Sequence, residues 1–164
     1  MTRLGGRIVE CANVPWFDLA AKALTKRADW QEIVQQWLEG YWEPRTPVIE
    51  LLAGELEDAS PLMEILLEHD DPRPFKKALH NRIIGKDPFG NVLILTARCT
   101  AEARAVEEGL ARSIHDRARQ KLKFKFRWRR ATQALAWLAM SYENAFETLL
   151  DFCKMLNPED RGLF

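Results

Sequence analysis

The stretch that decides the fold spans residues 131–156 and reads ATQALAWLAMSYENAFETLLDFCKML. Apolar residues recur in it at alternating spacings of three and four, which is the period of one helix face. These residues are Leu135, Leu138, Tyr142, Ala145, Leu149, Phe152 and Leu156. Asn157-Pro158 follows, and a proline disfavours the helical conformation in the residue before it. The pattern therefore predicts one long C-terminal helix with an apolar face broad enough for burial in a bundle.

Several shorter helices are predicted upstream from their starting signals. Thr46-Pro47 and Ser60-Pro61 each place a hydroxyl that can cap a helix before a proline at the first helical position. Apolar helices are expected after them, at 48–56 and 62–67. Asp29 precedes a further helix, 30–41, whose apolar residues recur at helical spacing. Additional helices are expected from Pro15, over 75–84 and from Thr100 to about residue 118.

Three segments read as strands rather than helices. Residues 7–14 and 92–98 are rich in β-branched or apolar types, and residues 121–129 alternate a base with an apolar residue. We therefore predict a mainly α fold of about seven helices with a small two- to three-stranded sheet, an α+β arrangement. An all-α bundle, with 121–129 inside a long helix, is the alternative. One domain over 1–164 is expected, divided into an acidic, Trp-rich half (1–86) and a basic half (87–164).

The 164 residues carry no formal net charge, yet the charge is strongly polarised along the chain. Residues 28–71 hold twelve acids against the single base Arg45. Residues 112–130 hold nine bases against the single acid Asp116. A partner senses this local field, because salt screens charges beyond about 8–10 Å. The chain therefore offers one acidic and one basic region.

The basic region predicts a nucleic-acid contact. In a strand, bases two residues apart lie about 6.6–6.8 Å from each other on one face, so they can follow a phosphate backbone without reading bases. The residues expected to make this contact are Arg112, Arg117, Arg119, Lys121, Lys123, Lys125, Arg127, Arg129 and Arg130. Two other interpretations stay open: the bases protect an edge strand, or they pair with the acidic region.

A second predicted surface is a protein interface in the acidic half. Trp30 and Trp37 are seven residues apart and share a helix face with Tyr41. Tryptophan and tyrosine are enriched at the residues that dominate binding energy in interfaces. Packing in the core is the competing interpretation of the same pattern. The partner would be another protein or a second copy of the chain.

No signature of catalysis, cofactor or metal binding stands out. None of the three serines has a GxSxG frame, and Ser113 and His115 point in different directions on a helix. His69, Asp70 and Asp71 are adjacent, and adjacent residues rarely converge on one ion. We therefore expect no cofactor and no metal.

The expected setting is the cytoplasm. Cys11, Cys99 and Cys153 are odd in number and far apart, which favours reduced thiols. Every apolar run is broken before the roughly 20 residues of a membrane span, and no secretory signal is recognised at the N-terminus. The prediction is a non-enzymatic cytoplasmic binding protein that contacts a nucleic-acid backbone or another polyanionic surface. The alternatives are a protein–protein adaptor or inhibitor that acts through the acidic half, and an enzyme with an unrecognised site.

Overall fold

Eight α-helices make up most of the chain described by this computed structural model, which covers residues 3–4, 7–8, 14–40, 43–70 and 91–156. They are α1 Val14–Thr25, α2 Trp30–Glu39, α3 Thr46–Glu55, α4 Ser60–His69, α5 Asn91–Glu102, α6 Glu108–Lys121, α7 Trp128–Leu138 and α8 Glu143–Met155. Two short 3₁₀ turns, Glu43–Arg45 and Lys125–Arg127, precede α3 and α7. The prediction of a mainly α fold is confirmed.

The predicted small sheet is not formed in the described ranges. Strands there are limited to β1 Arg3–Leu4 and β2 Arg7–Ile8, a two-residue antiparallel pair that begins the chain. Of the segment predicted at 7–14, residues 9–13 lie outside the described residues. The segment 92–98 lies inside α5, and the segment 121–129 is the connection between α6 and α7. The all-α alternative therefore fits the described chain, except that residues 121–129 do not lie inside one long helix.

Helix α5 was predicted as a strand because residues 92–95, near its start, form a continuous apolar run. It packs most extensively on α7 and also contacts α3, α4 and α6. A helix surrounded by others needs apolar residues on nearly all sides, so its sequence loses the 3.6-residue period. Thr96 and Thr100 are also buried, and each hydroxyl donates to the carbonyl oxygen four residues earlier, at 2.8 and 2.9 Å. Burial on several sides explains the wrong prediction.

The predicted helix starts are correct in position, although the capping groups differ. Helices α3 and α4 begin at Thr46 and Ser60, and a proline follows in each case. The N-cap residue of α4 is Ala59, and the capping hydrogen bond comes from the residue before it, since Asp58 Oδ1 accepts the Ser60 N–H at 2.9 Å. The Ser60 hydroxyl instead accepts the Glu107 N–H at 2.8 Å, which ties α4 to the loop before α6. Asp29 makes no capping hydrogen bond to α2 and pairs with Arg27.

The Asp58 cap predicts a stability effect that depends on pH. Hydrogen bonds from Ser60 lower the pKa of Asp58. A lowered pKa stabilises the fold above the unfolded-state pKa, and this contribution is lost as the pH falls through the folded-state pKa. Asp58→Ala should therefore lower the urea midpoint at pH 7, and Asp58→Asn, which keeps a good cap, should lower it less. A difference between wild type and Asp58→Ala that stays constant from pH 7 to pH 2 would contradict this assignment.

The single long C-terminal helix predicted over 131–156 is wrong. The chain forms two helices, α7 and α8, joined by a turn over residues 139–142. The Tyr142 N–H still donates to the Leu138 carbonyl at 2.7 Å, and α8 then packs back on α7 and α6. Both helices present an apolar face to the same core, so the spacing of three and four continues across the turn. The helix predicted from Thr100 is also interrupted, since α5 ends at Glu102 and α6 begins at Glu108.

The core joins the two halves of the chain. Its buried residues come from α1 to α8, and they include Val34, Leu66, Leu93, Ile114 and Leu135. Helix α2 contacts α4, and α1 contacts α3, which places the acidic half around α5. The helix predicted at 75–84 lies outside the described residues. Helices α6, α7 and α8 form the remaining side, and this side carries the basic region.

Candidate functional site

The basic segment 121–129 is a short connection between two helices and contains two consecutive turns. Helix α6 ends at Lys121, residues 122–124 form a turn, and the 3₁₀ turn Lys125–Arg127 leads into α7. The Trp128 indole N–H donates to the Leu122 carbonyl at 2.6 Å and closes this connection. Lys121 and Arg127 are buried whereas Lys123 is exposed. The predicted cationic row on one strand face is therefore wrong, because a tight turn places alternate bases on different sides.

Two bases of the region 112–130 form contacts inside the fold. The Lys121 ammonium contacts the Asp70 carboxylate, and both groups are buried. Arg117 lies on the other side of the same carboxylate, with Nη1 3.6 Å from Oδ2, and donates to the Leu67 carbonyl at 2.7 Å. These contacts connect the C-terminal end of α4 with α6. Lys121 and Arg117 are thus structural cations that neutralise one acid.

Most of the other bases face outward. Arg112, Arg119, Lys123, Lys125, Arg129 and Arg130 are exposed, and Arg127 is only 2% exposed. Arg112 contacts Tyr142 and pairs with Glu108 at 2.9 Å, and both interactions raise the pKa of its guanidinium. The Lys125 ammonium lies 5.5 Å from the centre of the Trp128 ring, and Arg130 donates to the Asn91 side chain. Six of the nine predicted contact residues can therefore reach an external partner.

The acidic half does not cover these six bases in the described ranges. The salt bridges found there between residues 28–71 and 112–130 all use one acid, Asp70. Several other acids of the half are exposed, among them Glu57, Glu64 and Glu68. The acidic and basic regions therefore form separate surfaces.

The predicted protein interface has a different setting from the one expected. Trp30 and Trp37 are half-buried and pack against the core, and Arg45 lies 5.6 Å from the centre of the Trp37 ring. Tyr41 lies outside the described residues. Both tryptophans therefore take part in core packing, and the interface on this helix face stays a prediction. Exposed apolar side chains occur instead on α1, where Trp16 and Leu19 lie, and on α8, where Phe146 and Leu150 lie.

A groove between α6 and α8 has a volume of about 840 Å³. Arg119 and Lys123 line one wall, and Glu147 and Asp151 line the other. The apolar lining is Leu122, Trp128, Phe152, Met155 and Leu156. A second cavity of about 380 Å³ shares Phe152 and Leu156 with the groove and has Arg129 in its wall. Three exposed bases therefore border two adjoining cavities.

Sequence reasoning missed one cluster of polar side chains in this groove. His115 is buried, and its Nε2 lies 2.8 Å from the Thr148 hydroxyl oxygen. Its Nδ1 lies 3.3 Å from Asp116 Oδ1. His115 and Thr148 are 33 residues apart, so no local motif could bring them together. Ser113 does not contribute to this cluster, because its hydroxyl donates to the Gly109 carbonyl at 3.0 Å.

The adjacent residues His69 and Asp70 do not converge on a common point. His69 Nδ1 lies 2.9 Å from the Ile65 carbonyl oxygen, and Asp70 is engaged by Lys121 and Arg117. Asp71 lies outside the described residues. Across the described residues, no group of three or more metal-ligating side chains comes together. Each helix described is also too short or too polar to cross a bilayer.

Comparison of the chain with protein-family models, with curated proteins and with solved structures finds no match in any of the three.

Proposed function

We propose that the chain binds the sugar-phosphate backbone of nucleic acid through the exposed bases of residues 112–130, with little sequence selectivity. The observation that carries this proposal is the exposure of six of the nine bases. Contacts to phosphate position a protein on nucleic acid and do not distinguish one sequence from another. Each phosphate that is neutralised also releases counterions, which makes the affinity strongly dependent on salt.

The arrangement of the exposed bases supports a surface rather than a row. Arg119 and Lys123 border the groove between α6 and α8, and Arg129 borders the adjoining cavity across Phe152 and Leu156. The acids Glu147 and Asp151 border the same groove and reduce its positive potential locally. Asp151 pairs with Lys154 at 3.0 Å, which offsets part of that reduction. A flexible nucleic-acid backbone can bend so that its phosphates contact bases that are spread over a surface, and it does not need bases in a straight row.

The competing interpretation, in which the acidic half neutralises the basic region, has limited support. Only Asp70 connects residues 28–71 with 112–130 by salt bridges in the described ranges. The bases that it engages, Lys121 and Arg117, are two of the three bases of this region that are not exposed. The six outward bases are exposed to solvent.

Salt dependence is the test of this function. We expect log K for a single-stranded or duplex oligonucleotide to fall with log[salt] at a slope of roughly −4, which corresponds to about five phosphates. The triple substitution Arg119→Gln, Lys123→Gln and Arg129→Gln should make the slope shallower by about 2 to 3. Fluorescence anisotropy between 50 and 200 mM salt measures both quantities.

A matched control carries the same change in net charge outside the basic region. Lys22, Lys26 and Arg104 are exposed and do not line the groove, so replacing all three by Gln should leave the slope close to that of the wild type. Equal slopes in the wild type and in the triple variant of the basic region would remove the proposal. So would an equal loss in both triple variants, because it would indicate an effect of net charge alone.

Association between copies is a second candidate, favoured by the separate acidic and basic surfaces. Exposed acids on α4, such as Glu64 and Glu68, are complementary in charge to exposed bases on α6 and α7. Such pairing is screened by salt. Size-exclusion chromatography with light scattering should then give a larger mass at 20 mM than at 500 mM salt. A monomer mass at both concentrations would exclude this candidate and leave the nucleic-acid proposal unaffected.

A further inference from the structure

The groove between α6 and α8 is lined by a hydroxyl and an imidazole, and a carboxylate outside the groove approaches the same imidazole. Thr148 Oγ1 lies 2.8 Å from His115 Nε2, within the 2.6–3.2 Å expected between a nucleophile and its base. Asp116 Oδ1 lies 3.3 Å from the other ring nitrogen, Nδ1. A carboxylate at Nδ1 favours the tautomer that carries its proton there. In that tautomer Nε2 is the acceptor, and the Thr148 hydroxyl donates to it.

We propose that this cluster is an acyl-transfer site, with Thr148 as the nucleophile, His115 as the general base and Asp116 as the residue that positions His115. Nucleophile, base and orienting group are recognised by their geometry and not by their order along the chain. The proposal is independent of nucleic-acid binding. It adds to this chain a chemistry that the sequence analysis did not assign.

The surroundings hold the imidazole in one orientation while leaving the hydroxyl accessible. His115 is 7% exposed, and its ring packs at 5.5 Å from the ring of Tyr142. Thr148 is half-buried, and both His115 and Thr148 line the open groove. An imidazole held within hydrogen-bond distance of the hydroxyl needs little further ordering before it accepts the proton, and an accessible hydroxyl can meet a substrate.

The lining of the groove defines the class of substrate. Trp128 packs edge-on against Phe152 at 5.2 Å, and Leu122, Met155 and Leu156 extend the apolar lining. This lining suits the acyl chain of an ester, since apolar walls with a few polar groups are typical of small-molecule sites. Arg119 lies one turn after His115 on α6, and Asn144 lies one turn before Thr148 on α8. Both line the groove and can donate hydrogen bonds to a developing oxyanion.

The reaction balances with water as the only co-reactant. The Thr148 oxygen attacks the ester carbonyl carbon while its proton passes to His115 Nε2, and the carbonyl oxygen becomes the oxyanion. The tetrahedral intermediate collapses, the carbon–oxygen bond to the alcohol breaks, and His115 returns the proton to the alcohol. Water then attacks the acyl–Thr148 ester with His115 again as base, which releases the carboxylic acid and restores the Thr148 hydroxyl.

A purely structural role is the competing interpretation, because the same hydrogen bond also joins α6 to α8. The two roles differ in one observable, which is a covalent acyl group on Thr148. The full-length protein should hydrolyse p-nitrophenyl butyrate above the buffer rate and carry a butyryl group on the peptide that contains Thr148. Stopped-flow absorbance and peptide mass spectrometry measure these two quantities.

Three substitutions test the nucleophile. Thr148→Val keeps the shape and removes the hydroxyl, so it should abolish the acyl label and reduce the hydrolysis rate about 10²-fold or more. Thr148→Ser keeps the hydroxyl and should keep the label. Thr132→Val is the matched control: Thr132 is also half-buried and donates to the Trp128 carbonyl at 2.8 Å, outside the groove. Circular dichroism in urea shows whether each variant folds.

A further substitution tests the positioning residue. Asp116 contacts the imidazole and is 54% exposed, so Asp116→Asn should lower kcat and leave KM close to the wild-type value. A role limited to stability would move neither parameter in the folded fraction.

Two results would overturn the proposal. One is hydrolysis no faster than in buffer, and the other is equal hydrolysis by the wild type and by Thr148→Val. Neither result bears on nucleic-acid binding, because Thr148→Val retains every exposed base.

Discussion

Replacing Asp70 by Asn is expected to lower the free energy of unfolding by about 3–5 kcal/mol, which is the usual cost of breaking a buried ion pair from one side. The Asp70 side chain has no accessible surface and contacts Lys121, whose side chain is 5% exposed, and Arg117. Without the carboxylate charge, two cations would remain at a site that water reaches poorly. Asp70 also lies at the C-terminal end of α4, where the helix dipole disfavours a negative charge. The charged form of Asp70 therefore depends on Lys121 and Arg117 for its stabilisation.

The control for this prediction is Asp29→Asn. Asp29 pairs with Arg27 at the surface, where an ion pair contributes little to stability. Urea denaturation of both variants compares the two environments directly. A second variant, Asp70→Leu with Lys121→Met, should recover part of the loss, because it removes the acid and one of the two cations together. Equal midpoints for Asp70→Asn and Asp29→Asn would show that the buried cluster does not stabilise the fold.

Replacing Leu135 by Ala should also lower the free energy of unfolding by about 3–5 kcal/mol. Leu135 is completely buried on α7, the helix that packs most extensively on α5. Truncating a buried leucine removes its transfer free energy and leaves a cavity that a close-packed core fills only in part. The loss should appear as a lower urea midpoint with an unchanged dependence on denaturant concentration.

Leu150→Ala is the matched control for this second prediction. Leu150 lies on α8 and is 44% exposed, so the same truncation should cost less than about 1 kcal/mol. If both truncations cost the same amount, α5 and α7 do not form the centre of the core. A smaller effect of Leu135→Ala than of Leu150→Ala would point to α8 as a buried helix instead.

Helix starts were predictable because their signals are local. A proline at the first helical turn acts through its own ring and its missing N–H, and no distant residue can change that. Helices α3 and α4 accordingly begin where Thr46-Pro47 and Ser60-Pro61 predict. The partner of the Ser60 hydroxyl was not predictable, because it is the N–H of Glu107, 47 residues later.

The break between α6 and α7 was not predictable from spacing. Residues 121–129 alternate bases and apolar types, which is the period of a strand. In the structure the same alternation reflects a tight turn, in which Leu122 and Phe124 are half-buried and Lys123 is exposed. Lys121 points inward because Asp70, 51 residues earlier, lies there. A contact of that range leaves no trace in local periodicity.

The basic region was recognised from the sequence, but the sequence did not indicate which of its bases are exposed. Nine bases within residues 112–130 are a property of composition. Their division into six exposed and three less exposed side chains depends on where α4 and the 3₁₀ turn lie. The polar contact in the groove also depends on tertiary structure, since Thr148 and His115 become neighbours only because the chain turns back at residues 139–142.

The order of the amino acids alone thus determined the helical class, the starts of several helices and the separation of acidic from basic charge, because each depends on neighbours a few residues apart. Tertiary packing alone decided which apolar run is a central helix, which bases face water and which polar groups meet in the groove. These depend on contacts between residues tens of positions apart, such as Asp70 with Lys121 and His115 with Thr148. These contacts form because the whole chain buries its apolar surface together, and local sequence periodicity does not indicate which distant residues meet.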